Sequence, residues 1–342
     1  MAQIVSSTSS KFLFSLLIFL SILLYCLYYN NDHIIISSLE VDNNPGWLKR
    51  MNKAALLVFH ARDNIDVLPL HRTPQQLYTF FVIESPHHTW GMGRDVPPDF
   101  FNISFTYRSD SDVHYTYGMF EEYKKEDLEG GLVTQDQIWT EKEIDSKITK
   151  KEKLALQFVS NCNTKSKREK YVAELKRYTD ITQIGGCFKT KEYCDDKCAD
   201  DLIDSHYFYF SFENSVCFNY VTEKFWKLKK LIVPVILSRS VVKGLNIPAD
   251  SFIAADDFNS PKDLILFLKA VAADKNKYKS YFGWTKKFKK SNYADDASNP
   301  LCNLCKLAHI NQKKLRIKDI YDFWNNGGKC QQGFAENVLL KG

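Results

Sequence analysis

Alternation of short apolar segments with amphipathic helical segments is the sequence feature that most constrains the fold. LALQFVS at 154–160 has the length and apolar character of a buried strand, and KREKYVAELKRY at 167–178 carries its apolar residues on one helical stripe. Further strand patterns follow at 180–186, 207–214, 232–237 and 251–258. Strands that alternate with helices form parallel sheets covered by helices, so the sequence predicts an α/β fold. Ligands of such folds bind at the carboxyl ends of the strands.

A polar loop after the strand pattern at 207–214 carries residue types that suit a phosphorylated ligand. We expect a helix to begin near Thr222, where free backbone N–H groups would face the ligand. Lys224 in the first turn opposes the helix dipole, and an anionic ligand would explain it. Glu223 can accept two hydrogen bonds from a ribose diol. The alternative from these residues alone is a helix cap with a solvated Glu and Lys.

The N-terminus predicts a membrane anchor. Residues 12–29 read FLFSLLIFLSILLYCLYY without a charge, a length near the lower limit for a membrane-spanning helix. The run ends in bulky residues rather than a small-residue cleavage site, so we expect an uncleaved signal anchor. Residues 1–11 would form a cytosolic tail, 30–52 a polar stem, and the rest would be translocated. The alternative is a buried core helix.

Eight cysteines follow the one in the apolar run, an even number that indicates disulfide bonds in a translocated domain. They are Cys162, Cys187, Cys194, Cys198, Cys217, Cys302, Cys305 and Cys330. We expect Cys162 to pair with Cys217, because Cys162 ends a predicted strand near the polar loop at 212–226 and Cys217 lies in that loop. The other pairings stay open. Cys302 and Cys305 form a CxxC motif, for which a disulfide is favoured over zinc because a second CxxC is missing.

Two further features bear on partners. Asn102 begins the sequon Asn-Ile-Ser, which predicts an N-glycan on a translocated domain. The chain has 46 basic and 41 acidic residues, a net charge of +5. This balance is too even to predict a nucleic-acid partner.

Several motifs, in order, resemble the α1,3/4-fucosyltransferases of glycosyltransferase family 10. The polar loop FENSVCFNYVTEKFW at 212–226 resembles the family signature, and Glu84-Ser85-Pro86 with FNISFTYRSDSD at 101–112 resembles its acceptor-side motif. IPADSFIAADDFNSPKDL at 247–264 matches a later block. The resemblance covers roughly residues 54–330 and is nearest to invertebrate-type α1,3-fucosyltransferases.

The resemblance implies a GT-B fold, in which two Rossmann-like domains face a cleft. It implies an acceptor-side domain at 53–152, a GDP-fucose-binding domain at 153–300 and a cysteine-containing segment at 301–342. The implied reaction transfers L-fucose from GDP-β-L-fucose to a GlcNAc hydroxyl of a glycoprotein glycan, in the N-glycan core or antenna, with inversion. The implied location is the Golgi membrane, with the catalytic domain in the lumen.

The resemblance also assigns roles to individual residues. Glu84 would be the base that removes the acceptor proton. The donor-binding positions would be Arg168, Asn214, Tyr220, Glu223 and Lys224. The cationic side chains of Arg168 and Lys224 would offset the diphosphate charge, so no metal or other cofactor is expected to be required. Stimulation by Mn²⁺ or Mg²⁺ is compatible with this assignment.

Two alternatives are weighed against this interpretation. The spacing of Asp110-Ser111-Asp112 fits a metal-binding DxD motif of another transferase class. Departures near the donor loop, such as Tyr207 where the family has Lys and Ser238 in place of a turn glycine, fit a catalytically impaired paralog. Such a paralog would bind a GDP-sugar or a glycan.

Overall fold

Two parallel β-sheets organise the chain. The computed structural model describes residues 54–62, 72–89, 91–188, 194–290, 300–309 and 315–340, together with the backbone of 34–37. The chain divides into two compact units. The first comprises 1–81, 99–104 and 299–318, and the second comprises 82–98, 105–298 and 319–342. The predicted α/β fold with parallel sheets is confirmed.

The first sheet has five strands in the order β1-β2-β3-β4-β5. They are β1 (Ile34–Ser37), β2 (Leu56–His60), β3 (Leu77–Val82), β4 (Ile103–Thr106) and β5 (Val113–His114). The pairs β1–β2, β2–β3 and β4–β5 are parallel. All residues of β3 and β4 are buried, which is typical of strands covered on both faces.

The second sheet is also parallel, in the order β10-β9-β8-β6-β7. Its strands are β6 (Lys153–Phe158), β7 (Ile181–Ile184), β8 (His206–Phe210), β9 (Val233–Ile236) and β10 (Ile253–Ala254). The strands β7 and β8 flank β6 on opposite sides, so the chain reverses its direction of winding there. The loops that leave β6 and β8 therefore diverge at a topological switch point, where ligands bind in such sheets.

Eight α-helices lie in the described ranges. They are α1 (Lys125–Glu129), α2 (Glu141–Thr149), α3 (Arg168–Leu175), α4 (Asp196–Ser205), α5 (Pro261–Ala273), α6 (Lys275–Ser280), α7 (Pro300–His309) and α8 (Phe334–Leu339). Tyr171, Val172 and Leu175 of the predicted stripe are buried in α3, whereas Tyr178 lies beyond its end and is half-buried. The side chain of Ser260 caps α5 by accepting from Asp263 N–H, because the first helical N–H groups lack partners within the helix.

Two predicted elements differ in the structure. The segment after Thr222 forms a short 3₁₀ helix at Phe225–Lys230 rather than an α-helix. Few residues separate this loop from β9, and Leu231 adopts a left-handed conformation that ends the turn. The strand pattern at 251–258 shortens to β10, because Ala255–Asp257 turns into a 3₁₀ helix.

The cysteine pairing corrects the expectation for Cys162. The structure joins Cys162 to Cys187, Cys194 to Cys198 and Cys217 to Cys330. The register of β6 with β7 explains the first bond, since each of its cysteines lies just beyond one of these paired strands. Cys302 and Cys305 carry thiols on α7 instead of the expected disulfide.

Asn102, the predicted glycosylation site, lies in the interior. Its Oδ1 accepts from Tyr78 N–H at 2.8 Å, and its Nδ2 donates to Leu315 O at 3.0 Å. Arg72 also donates to Oδ1. The nitrogen that would carry the sugar thus donates a hydrogen bond within a largely buried network. The glycan itself stays a prediction.

The predicted anchor at 12–29 lies outside the described residues. No helix of the described ranges is long and apolar enough to cross a membrane. Within the predicted stem, Ile34–Ser37 forms β1 and pairs with β2 instead of continuing as a linker. The three successive isoleucines explain this difference, because β-branched residues favour strands. The GT-B class and the domain boundaries stay predictions.

Candidate active site

The candidate site lies in the second unit, where the loop after β8 meets the turn that carries Glu84. The loop runs from Ser211 to Lys224 and leaves the sheet at the switch point. The turn at Glu84 comes two residues after β3 and precedes a 3₁₀ helix at Pro86–His88. Carboxylates, a lysine, an arginine and several buried tyrosines converge here.

Glu84 is held by a direct hydrogen bond from the loop after β8. The Oη of Tyr220 donates to Glu84 Oε2 at 3.0 Å. The Nδ1 of His88 lies 3.6 Å from the same oxygen. The side chain of Glu84 is 28% exposed, so a ligand can reach the carboxylate while it stays oriented.

The backbone at Glu84 is fixed from both sides. Tyr117 Oη donates to Ile83 O at 2.8 Å. Ser85 Oγ donates to Ser215 Oγ at 2.8 Å, and both serines are buried. These bonds tie the turn to the 115–117 segment and to the loop after β8. The carboxylate therefore projects from a rigid support, which acid–base catalysis requires.

Tyr220 is buried beside a second tyrosine. Its ring lies against the ring of Tyr107, with centroids 5.0 Å apart and planes tilted by 59°. Burial raises the pKa of Tyr220 well above its ordinary value, and the charges near it, including Glu84, raise it further. The hydroxyl thus remains protonated and acts as a hydrogen-bond donor to the carboxylate.

Glu213 forms a second, fully paired centre in the same loop. Its Oε1 accepts from Thr222 N–H at 2.8 Å and from Thr222 Oγ1 at 2.7 Å. Lys224 Nζ lies 3.2 Å from its Oε2. The side chain of Glu213 is only 8% exposed. Burial raises the pKa of Glu213, whereas Lys224 and Thr222 oppose that effect.

Lys224 is shared between two carboxylates. Its Nζ donates to Glu223 Oε1 at 2.9 Å and to Thr222 Oγ1 at 3.0 Å. Burial would lower the pKa of Lys224, but Glu213 and Glu223 outweigh burial and raise it above its ordinary value. The lysine therefore stays charged. Its partner Glu223 is 45% exposed, so this carboxylate faces solvent.

Arg168 begins α3 at the carboxyl end of β6. It is buried and donates to Phe212 O and, at 3.2 Å, to Asn161 O. Its Nε is buried without a hydrogen-bond partner among the described residues. Burial lowers the pKa of Arg168, while Glu213 raises it. The guanidinium thus connects the loops after β6 and β8.

Asn214 reaches the turn that carries Glu84 through a histidine. Its Nδ2 lies 3.2 Å from His88 Nδ1. His88 is the same residue that faces Glu84. His88 therefore links Asn214 of the loop after β8 to the carboxylate of Glu84.

The comparisons with known proteins agree with this architecture. The family model of the glycosyltransferase family 10 (fucosyltransferase) C-terminal region matches residues 148–324, and the fucosyltransferase N-terminal model matches 41–118. Alpha-(1,3)-fucosyltransferase C of Drosophila melanogaster is 31% identical over 87% of this chain and 72% of its own length.

The chain belongs to glycosyltransferase family 10.

Two further similarities were found for this fucosyltransferase. Alpha-(1,3)-fucosyltransferase fut-1 of Caenorhabditis elegans is 32% identical over 84% of this chain and 64% of its own length. A crystal structure of an alpha1,3-fucosyltransferase with GDP-fucose is 17% identical, with a TM-score of 0.46 over 75% of this chain and 78% of that one.

In this fucosyltransferase, the structure brings together Glu84, Tyr220, Asn214, Glu223 and Lys224. Sequence reasoning missed Glu213, the residue that organises Thr222 and Lys224. The available signal was its position: a glutamate inside an apolar strand end must find a partner when it is buried. Sequence reasoning also missed Tyr107 as a neighbour of the site.

Other polar groups near the site are engaged. Asp110 of the Asp110-Ser111-Asp112 motif pairs with Arg108, whose Nη2 lies 2.6 Å from Asp110 Oδ2. His87, Cys217 and Cys330 form the group of possible metal ligands in the described ranges. The two sulfurs of that group are joined in a disulfide, so they offer no thiolate.

Proposed function

We propose that this enzyme is an α1,3-fucosyltransferase that moves L-fucose from GDP-β-L-fucose to a GlcNAc hydroxyl of glycoprotein glycans, with inversion. The observation that carries the proposal is the hydrogen bond from Tyr220 Oη to Glu84 Oε2. It couples an accessible carboxylate to the loop that carries the family signature. The relatives from Drosophila and C. elegans, both named alpha-(1,3)-fucosyltransferases, support the linkage.

In the proposed reaction Glu84 acts as a general base. Its carboxylate takes the proton of the acceptor hydroxyl while that oxygen attacks the anomeric carbon of fucose. The bond between this carbon and the GDP oxygen breaks, and GDP leaves with the electron pair. One displacement from the opposite face inverts the configuration. Tyr220 and the fixed backbone at Glu84 hold the base in position.

The proposed donor site uses two cations, one in the loop after β8 and one at the start of α3. Lys224 and Arg168 would offset the negative charge that develops on the diphosphate. Lys224 is already charged, and Arg168 is fixed by carbonyl oxygens. The partly exposed Glu223 would accept the ribose hydroxyls, and Asn214 and Tyr220 would line the same site.

Three finer statements belong to this proposal. The acceptor is a GlcNAc of the N-glycan core or of an antenna. The chemistry requires no metal, although Mn²⁺ or Mg²⁺ could stimulate it. The protein resides in the Golgi membrane, anchored by residues 12–29, whose apolar sequence supports this location.

The direct test incubates the purified full chain with GDP-fucose and a panel of N-glycans and LacNAc oligosaccharides, with and without EDTA. Mass spectrometry follows the gain of one fucose, and NMR of the product identifies the linkage. The expected result is α1,3-fucosylated GlcNAc in both conditions. A protein that is stabilised by GDP but transfers nothing to any acceptor would instead be a binding paralog.

A further inference from the structure

A cavity of about 320 Å³ lies in the second unit beside the candidate active site. Its walls come from the segment after β5, from the loop after β8 and from the loop after β9. This volume lies within the range of small-ligand sites. Of the site residues described above, Tyr107, which packs against Tyr220, lines this cavity, and the others do not.

The chemistry of the cavity is neutral and amphipathic. Phe120 and Trp226 supply aromatic walls, Leu245 adds an apolar contact, and Thr116 and Asn246 add polar groups. Among the described residues that line it, there is no Asp, Glu, Lys or Arg. The lining also includes His114, and burial lowers the pKa of its imidazole, which favours the neutral form. Such a lining favours a ligand that has apolar faces and uncharged hydroxyl groups, and it disfavours phosphates and carboxylates.

The cavity walls are fixed by close packing and hydrogen bonds. Gly118 approaches the ring of Trp226 so closely that a Cβ there would lie 2.5 Å from it. Asn219 is buried, accepts from Ser109 Oγ at 2.6 Å and donates to Lys243 O at 2.9 Å. This amide therefore fastens the loop after β9 to the segment before β5. A site with preformed walls does not have to be ordered when a ligand binds.

The cavity is joined to the proposed base through two aromatic residues. Tyr107 lines the cavity and packs against Tyr220, which donates to Glu84. The neighbours of Tyr220 in sequence, Asn219 and Val221, also line the cavity. A ligand in the cavity is thus adjacent to the pair of rings behind the reacting carboxylate.

We propose that this cavity is a subsite for a neutral pyranose unit of the acceptor glycan, next to the GlcNAc that receives fucose. The pyranose would place its C–H face on the aromatic walls and its hydroxyls near Thr116 and Asn246. This inference rests on the proposed function, because it names an additional part of the acceptor. The cavity then contributes to the selection of acceptors by length and by the absence of charge.

The test compares Leu245→Arg with Leu132→Arg in the full chain. Leu245 lines the cavity, whereas Leu132 is 78% exposed and lies outside its lining. The assay measures KM for a GlcNAc monosaccharide glycoside, KM for a neutral N-glycan and the Kd of GDP. Leu245→Arg should raise KM for the N-glycan about tenfold while it leaves the other two values unchanged. Leu132→Arg should leave all three values unchanged.

Three results would overturn the inference: an equal KM increase for both acceptors, a weaker Kd for GDP, or no change. A weaker Kd for GDP would place the nucleotide in the cavity. A second measurement separates this inference from the proposed function. Neutral N-glycan without GDP-fucose should change the fluorescence of the wild-type protein, and Trp226→Phe should remove that change. A wild-type protein that binds the glycan but transfers no fucose refutes the reaction and leaves the subsite supported.

Discussion

Glu84 and Glu213 belong to the same unit of the molecule but occupy opposite environments. Glu84 is 28% exposed and receives one tyrosine hydrogen bond. Glu213 is 8% exposed and is surrounded by Thr222 and Lys224. The first carboxylate has an oxygen that a ligand can approach. The oxygens of the second are already paired with Thr222 and Lys224.

This contrast shows that one loop contacts both an accessible carboxylate and a buried one. A buried carboxylate stabilises the fold only while its partners remain, because an unpaired buried charge is costly. A partly exposed carboxylate is better suited to exchange a proton with a bound hydroxyl. The loop after β8 contributes to both, since it carries Tyr220, Thr222 and Lys224.

The largest expected effect comes from a change of Glu84, the accessible carboxylate of the two. Glu84→Gln should reduce the transfer rate by about 1000-fold, because the amide cannot accept the acceptor proton. The thermal stabilisation by GDP should stay unchanged, since Glu84 is not a proposed nucleotide ligand. Rate assays and melting curves with GDP measure the two effects. Loss of the GDP stabilisation would count against the role of a base.

Glu213→Ala tests the buried carboxylate of the comparison. It removes the acceptor of Thr222 N–H and one carboxylate of Lys224, so the free energy of unfolding should fall by about 3 kcal/mol. Urea unfolding followed by circular dichroism measures this change. Glu213→Gln is the matched control, since it retains an acceptor for Thr222 and should cost less. An alanine variant as stable as the wild type would contradict the structural role.

Tyr220→Phe tests the hydrogen bond that Tyr220 donates to Glu84. Loss of a hydrogen bond to a charged group should lower kcat about 10-fold to 100-fold, because the carboxylate of Glu84 loses the donor that orients it. Tyr107→Phe is the matched control, because its buried hydroxyl has no hydrogen-bond partner among the described residues. Equal losses in the two variants would show that ring packing, rather than the hydroxyl, matters.

A third carboxylate, Glu143 at the start of α2, provides a solvated reference. Lys290 and the N–H of Thr140 lower its pKa to about 2. Because its folded pKa lies below the unfolded value, it stabilises the fold above about pH 4.5, and this contribution disappears as the pH falls towards 2. Glu143→Gln should therefore cost about 1 kcal/mol at pH 7 and almost nothing at the acid end. Urea titrations at both pH values test this, with the exposed Glu129→Gln as the control.

Local patterns predicted the parts of the structure that depend on neighbours in sequence. The helical stripe of 167–178 became α3, and Ser260 capped α5. The resemblance assigned Glu84 and Tyr220 to one active site, and in the structure Tyr220 Oη donates to Glu84 Oε2. These features follow from periodicity, capping and motif order, which a sequence records directly.

Other features depend on groups that are distant in sequence. Cys162 pairs with Cys187 because β6 lies beside β7, an arrangement that cysteine spacing does not contain. Asn102 matches a glycosylation sequon, yet it is buried by partners as distant as Leu315. The 3₁₀ helix after Lys224 replaced a predicted α-helix because the connection to β9 is short.

The sequence by itself determined the α/β class, the family and the residue types that the reaction needs, because these depend on local pattern and on the order of motifs. Only the tertiary structure decided that Glu84 remains accessible and that Glu213 is buried and paired with Lys224. Burial and pairing arise when separate segments pack together, and they set the charge and reach of a side chain. The chemical role of each glutamate is therefore a property of its surroundings in the folded chain.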